Sequence, residues 1–433
     1  MIKHMLQKIT IRNFKAIQDL TVEFTPLTVL IGENACGKTT ILQAIEFLSS
    51  AASRDIPEYL KEKDWRFAEL KSQYGDGANK PIEFETVFIF DGVQVEWFLH
   101  IDFIDNKWHI REQINRNDEG IVSYSKMPIM QDMLITKGIP NPFKEIPLQS
   151  SLLKIIDNIV EEYKLGDEII INKVNFKSLL LLKDFLSATN NYGLLSVDKM
   201  RAGKNDGITF NIGAGGHVLF LYIDSLEDDE KEKLIQKLSM LLGIDLNIKV
   251  YHRQNKAELV IEEKHNGSWI RINDQHISDG ILRLIALVAI SLGKCKALLS
   301  TENGFLLTTE TGAAILAGSM QKEKGIILLD EIENGINPYK TEQVISIYHE
   351  LVEKQGLQVL LTTHSPVMLN DFDPDEIVYL WKDKNGFVHS KKFFATEDMK
   401  DTLEFLNPGE IWLNYSKEEL LKRMNGYTGA DKK

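Results

Sequence analysis

Gly32-Glu33-Asn34-Ala35-Cys36-Gly37-Lys38-Thr39 decides how this chain is read. It fits the spacing G-x-x-x-x-G-K-[ST], in which glycines let backbone N–H groups curl around phosphate oxygens. The flanks agree. Leu27-Thr28-Val29-Leu30-Ile31 before it is a β-branched apolar run, and Thr40-Ile41-Leu42-Gln43-Ala44-Ile45-Glu46-Phe47-Leu48 after it carries apolar residues at helical spacing. Strand, glycine loop and helix in this order set the positive end of a helix dipole against a bound anion. Asn34, Ala35, Cys36, Gly37, Lys38, Thr39 and Thr40 are the candidate nucleotide contacts. Lys38 is expected to reach the β- and γ-phosphates, and Thr39 to hold Mg²⁺.

Three other segments supply what a phosphate loop lacks. Gly325-Ile326-Ile327-Leu328-Leu329-Asp330-Glu331 reads as a fully buried strand ending in two carboxylates. Asp330 is then placed for the Mg²⁺ hydration shell, and Glu331 to orient or deprotonate an attacking water. Leu360-Leu361-Thr362-Thr363-His364-Ser365-Pro366 reads as a strand delivering His364 to the same sheet edge, where an imidazole can hydrogen-bond a γ-phosphate. Ile277-Ser278-Asp279-Gly280-Ile281-Leu282-Arg283 opens a long apolar helix running to Leu292, with Ser278 as its N-cap. That turn is either a simple cap or an anion site for a nucleotide bound elsewhere, with Ser278 and Gly280 as the contacts.

The 433 residues suffice for two or three units of ordinary domain size, and 43% hydrophobic residues supply a core. The formal charge of −13 argues against a general nucleic-acid coat and leaves room for a local basic groove. The two cysteines, Cys36 and Cys295, form no Cys-x-x-Cys, so neither a zinc clasp nor a disulfide framework is indicated. No apolar stretch approaches the length of a membrane span, and the first residues lack a signal-peptide core; a cytoplasmic location is expected.

Gln7–Ile11 and the alternating Leu20–Phe24 read as strands. Ile82–Phe90, the turn Asp91-Gly92, and Val93–Phe103 read as a hairpin, with Trp108–Asn115 as a third strand. Residues 145–200 carry helical stripes, including Leu152 to Tyr163 and Phe176 to Leu186. Asp228–Leu242 reads as a helix ending at Gly243, and strands Leu246–Tyr251, Ala257–Glu263 and Ser268–Ile272 follow it. The final third alternates strand and helix, as a parallel sheet requires.

In order, the motifs resemble those of the ABC-class ATPases often labelled AAA-type, whose relatives are the OLD-family, RecF-like and SMC-like proteins. Many members belong to prokaryotic defence modules against phage. Ile9-Thr10-Ile11-Arg12-Asn13-Phe14-Lys15, Asn334-Gly335-Ile336-Asn337-Pro338 and Pro408-Gly409-Glu410-Ile411-Trp412 are also similar to segments of that group. The resemblance implies an α/β phosphate-loop ABC-type head, a mostly parallel sheet flanked by helices, with an antiparallel β lobe and an inserted helical subdomain. The expected division is 1–50 and 204–385 for the ATPase core, 51–120 for the β lobe, 121–203 for the helical insertion and 386–433 for a tail. The resemblance further implies ATP and Mg²⁺ as ligands, with Glu331, His364 and Lys38 as catalytic groups. It also implies head-to-tail dimers or higher homo-oligomers in which Ser278 and Gly280 of one subunit meet the γ-phosphate held by Lys38 of the other.

Two departures stand out. Gln113 and Gln131 are the candidates for the glutamine that couples Mg²⁺ to the insertion in this group. The stretch from Ser300 to Lys324 is longer than the usual connection and suits a partner-binding element. Arg201 falls where relatives carry a basic residue near the phosphates. The leading expectation is an ATPase that acts as sensor or scaffold for a separate effector encoded nearby, in anti-phage defence. The stretch after His364 is short for the nuclease domain of OLD proteins and shows no carboxylate cluster for two metals, so no intrinsic nuclease is expected. A RecF-like DNA-repair ATPase, with DNA contact, is the alternative, and a transporter ATPase subunit the third reading.

Overall fold

The computed structural model describes residues 3–117, 119–126, 133–136, 149–155, 173–202, 211–253, 256–292 and 324–426. The strands, in chain order, are β1 (His4–Phe14), β2 (Ile17–Glu23), β3 (Leu27–Gly32), β4 (Ile82–Phe90), β5 (Val93–Ile104), β6 (Lys107–Arg116), β7 (Glu119–Lys126) and β8 (Met133–Thr136). They continue with β9 (Asn190–Leu194), β10 (Leu246–Arg253), β11 (Lys256–His265), β12 (Ser268–Asn273), β13 (Ile326–Asp330), β14 (Gln358–Thr362), β15 (Ile377–Lys382) and β16 (Val388–Lys392).

Among the described residues these strands form three sheets, in the orders β2-β1-β4-β5-β6-β7-β8, β10-β11-β12 and β16-β15-β3-β14-β13-β9. The first is antiparallel throughout. The expected hairpin at Asp91-Gly92 is present: Phe90 pairs with Val93, and both turn residues have positive φ, 50° and 82°. That is the pattern a two-residue turn needs to match strand twist. Asn266-Gly267 repeats it between β11 and β12.

The third sheet holds the phosphate loop. β3 lies between β14 and β15, parallel to both; β13 and β9 extend the parallel set, and only β16 runs antiparallel. Such a sheet must be covered on both faces, and its side chains alternate between two cores. Leu30, Leu328, Leu360 and Leu380 enter one, with the helix Lys38–Ser53 and the antiparallel sheet. Val29, Ile31, Leu329, Leu361 and Tyr379 enter the other, against the helices Asp279–Leu292 and Thr341–Gln355. The helix Asp228–Leu242 ends at Gly243 with φ 72°, an αL cap. The helix Lys173–Ser187 packs on Lys38–Ser53. Residues 156–172 and 300–323, on which part of the helical stripe and most of the long connection were placed, lie outside the described residues.

One buried amide joins the two large sheets. Gln358, at the start of β14, accepts from Leu6 N at 2.9 Å and donates to Leu6 O at 2.9 Å. It thus pairs with β1 as a strand residue would. A register shift between Leu6 and Lys8 marks this point in β1. Replacing Gln358 by Leu keeps the bulk and removes both partners. Each buried backbone group left unpaired costs about 1–3 kcal/mol, so the variant should lose roughly 2 kcal/mol or more of stability, read as a clearly lower urea midpoint. An unchanged midpoint would show that the sheets hold without this amide.

Candidate nucleotide site

β3 ends at Gly32, where the chain must turn away beside β15. A Cβ on Gly32 would stand 2.1 Å from Leu380 O, and its φ is 140°, so only glycine fits. Gly37, at φ 97°, turns the chain into the helix Lys38–Ser53, whose first hydrogen bond runs from Ile41 N to Gly37 O at 3.0 Å. Glu33, Asn34, Ala35 and Thr39 are exposed, Thr40 is half-buried, and Cys36, Gly37 and Lys38 are buried. Lys38 Nζ donates to the carbonyls of Gly32 and Glu33 at 2.9 and 3.0 Å, which keeps the ammonium within the curl of the loop. Burial pushes the Cys36 thiol above its usual pKa, against the pull of the nearby Lys38, so this cysteine is held as a neutral packing residue.

The other motifs converge on the same edge. Thr39 Oγ1 donates to Asp330 Oδ2 at 2.8 Å. Thr362 Oγ1 donates to Asp330 Oδ1 at 2.6 Å and accepts from Glu331 N at 2.8 Å. Glu331 has φ 47°, a left-handed turn for a residue with a side chain. Its carboxylate accepts from Asn334 Nδ2 at 2.9 Å. His364 lies just beyond β14, half-buried, with its backbone N–H donated to Glu333 Oε1 at 2.6 Å. Lys38, Thr39, Asp330, Glu331 and His364 therefore all sit at the C-terminal ends of β3, β13 and β14 or just after them, where parallel sheets bind ligands.

The signature turn is elsewhere. Ser278 is exposed, and its Oγ accepts from Ile281 N at 3.3 Å, as an N-cap does. Among the described residues no hydrogen bond or ion pair links Ser278 to loop 32–39. Gly280 has an internal reason to be glycine: a Cβ there would stand 2.6 Å from Gly335 O. Arg201 is tied to this turn, donating to Ile277 O at 2.7 Å and pairing with Asp279 at 3.0 Å. Gln113 donates to Asn115 on β6, and Gln131 lies outside the described residues. The glutamine that does face the Thr39–Asp330 pair is Gln43. It lines a cleft of about 260 Å³ with Thr39, Glu46, Lys63, Asn191 and Asp330. Gln43 lies four residues after Thr39, so it shares a helix face with it, which is the signal that could have found it. Its Oε1 accepts from Lys15 Nζ at 2.8 Å; burial lowers the Lys15 pKa to about 8.

Thr362 and Glu333 also escape a motif-based reading. Thr362 sits in an apolar run and looks like any β-branched strand residue. The tail closes over this edge: Gly409 N donates to Asn370 Oδ1 at 2.8 Å beside the helix Pro366–Leu369, and Lys417 pairs with Glu33 of the loop at 3.1 Å.

A phosphate loop on a parallel sheet, two acids ending the neighbouring strand, a histidine after the next and an antiparallel lobe define a phosphate-loop ATPase head of the ABC type. The AAA ATPase domain family matches residues 5–276, and the chain belongs to that family. The chain is similar to the OLD nuclease of Thermus scotoductus, 41% identical over 44 residues, 10% of this chain and 8% of that protein. It is similar to the DNA replication and repair protein RecF of Halalkalibacterium halodurans, 31% identical over 94 residues, 21% of this chain and 25% of that protein. The chain thus spans a quarter or less of these curated relatives. A solved Smc head domain with an extended coiled coil, bound to the C-terminal domain of ScpA derived from Pyrococcus furiosus, aligns with a TM-score of 0.45. That alignment is at 14% identity and covers 93% of this chain and 99% of that one.

Replacing Thr362 by Val keeps the shape and removes the hydroxyl that serves both acids. Hydrolysis should fall about a hundredfold, the scale of a misplacement near 1 Å, and Mg²⁺-dependent nucleotide affinity should weaken while the circular dichroism stays native. Wild-type turnover in this variant would show that Asp330 and Glu331 are held by other means.

Proposed function

We propose that this chain hydrolyses ATP at a site completed by a second copy of itself, and that the closing of that pair is its output. The observation that carries the reading is the Thr39–Asp330 contact of 2.8 Å beside the phosphate loop, together with a signature turn whose Ser278 faces solvent. The hydroxyl and carboxylate are hard oxygen donors at a helix N-terminus, a set that suits Mg²⁺ with phosphate and water. Bound there with ATP, Mg²⁺ would neutralise charge on the β- and γ-phosphate oxygens.

The chain's own residues then have separate tasks. Lys38 trades the carbonyls of Gly32 and Glu33 for β- and γ-phosphate oxygens, and the loop N–H groups bind the rest. Glu331, fixed through its backbone by Thr362 and through its carboxylate by Asn334, takes the proton of the water that attacks the γ-phosphorus. His364 hydrogen-bonds the γ-phosphate. Ser278 and Gly280 of the second copy cover the opposite side of that phosphate. Only contacts that differ between ATP and ADP can drive closure, and those to the γ-phosphate do. Resemblance to defence-module ATPases supports a cytoplasmic sensor whose closure controls a separate effector, with nuclease or toxic chemistry residing in that partner.

Lys38→Ala should abolish hydrolysis and weaken nucleotide binding. Glu331→Gln should bind ATP, hydrolyse it about 10²–10⁴-fold more slowly, the usual value of a general base, and accumulate the closed pair in sizing experiments. Mixing Ser278→Arg with Lys38→Ala should restore part of the activity, because one of the two shared sites is then intact. No restoration, with wild type monomeric in ATP, would sink the composite site. For the role, the purified chain is assayed for plasmid and RNA cleavage with and without the product of its adjacent gene. Cleavage by the single chain that is lost with its own acids would overturn the separate effector, and strong stimulation of turnover by DNA would favour the repair reading.

A further inference from the structure

We propose that Glu333 is a positioning residue that holds His364 in register with Glu331. The inference rests on the role given to His364 above. β14 ends at Thr362, so the backbone beyond it leaves the ladder. Thr363 N still reaches Leu30 O, at 3.3 Å. For His364 the acceptor is the Glu333 carboxylate, at 2.6 Å, a charge-assisted bond at the short end of the range. The next residue, Ser365, caps the helix Pro366–Leu369, its Oγ accepting from Met368 N at 3.2 Å. His364 is thus the junction between a strand end and a helix cap, and Glu333 anchors its N–H.

The same short turn carries the base. Ile332 N donates to Thr362 O at 3.2 Å, Asn334 N to Glu331 O at 3.1 Å, and Ile336 N to Glu333 O at 3.0 Å. Glu331 and Glu333 therefore move as one body, and the carboxylate of the second reaches across to the histidine segment. Among the described residues, the other oxygen of Glu333 is buried without a hydrogen-bond partner. Such an oxygen is costly, which argues against a group kept for stability alone. The signature helix touches this turn where Gly280 meets the Gly335 carbonyl. A shift of that helix would then be felt by base and histidine together.

The experiment compares Glu333→Asp, which withdraws the carboxylate by one methylene, with Glu333→Gln, which keeps its reach and one acceptor. Glu333→Asp should lower kcat about a hundredfold and leave the KM for ATP within about threefold, as expected for loss of a transition-state contact only. Glu333→Gln should retain most of the wild-type kcat. Placed in a His364→Ala background, Glu333→Asp should add no further loss, because its effect passes through His364. Additive losses, a rise in KM instead of a fall in kcat, or equal damage by Gln and Asp would overturn the assignment. Should Glu333→Asp melt, Glu333→Gln decides. Near-wild-type kcat at native stability supports positioning, and a fall to the His364→Ala level overturns it. If His364→Ala itself turns over at the wild-type rate, the role of His364 fails, which is a different result from a slow His364→Ala beside an active Glu333→Asp.

Discussion

The carboxylate of Asp330 is the tie on which the site depends. One oxygen takes the hydroxyl of Thr39 from the loop helix, and the other takes that of Thr362 from the next strand. Three elements distant in sequence are thereby fixed to one group. Thr362 passes the constraint on through its second bond, to the backbone of Glu331. That bond, with those from Asn334 to the Glu331 carboxylate and carbonyl, holds the left-handed φ of Glu331 against its energetic cost. The two adjacent acids are thus kept apart in direction as well as in proposed task.

Around this tie the molecule is layered. The parallel sheet sends alternate side chains into two cores, so neither face can shift without the other. The antiparallel sheet is bound to it through the Gln358 amide, and to the loop helix through Phe47, which packs with Phe14 and Phe84, the three rings lying 5.6–5.9 Å apart. Asn13 in the same strand pins the segment after the loop helix, donating to the carbonyls of Gly77, Lys80 and Pro81. The loop helix therefore lies packed between the two sheets.

Much of this was written locally in the chain. The phosphate loop, the strand into Asp330-Glu331, the Asp-Gly hairpin and the helix beginning after Ser278 each have a period or a spacing that physics limits to few meanings. What was not legible is pairing and partner choice. β1 meets β4 with Ile9 opposite Thr86, a contact between distant segments that no local pattern encodes. Gln358 looks like a surface residue at a strand start, yet it is fully buried because the β1 backbone satisfies its amide. Thr362 and Glu333 carry ordinary residue types at ordinary places, and only the fold shows which atoms they reach.

The order of strands has a consequence for synthesis. β3, which leads into the phosphate loop, has as its two neighbours β14 and β15, in register with Val359–Thr362 and Ile377–Leu380. The hairpins of the antiparallel sheet can pair as they leave the ribosome, because their partners are near in the chain. β3 (Leu27–Gly32) is made early and must wait until Gln358–Thr362 and Ile377–Lys382 have been made before either neighbour exists. A nascent or prematurely ended chain therefore carries the complete phosphate-loop motif without the sheet that shapes it. The parallel sheet that frames the loop can therefore close only once both late strands have been made.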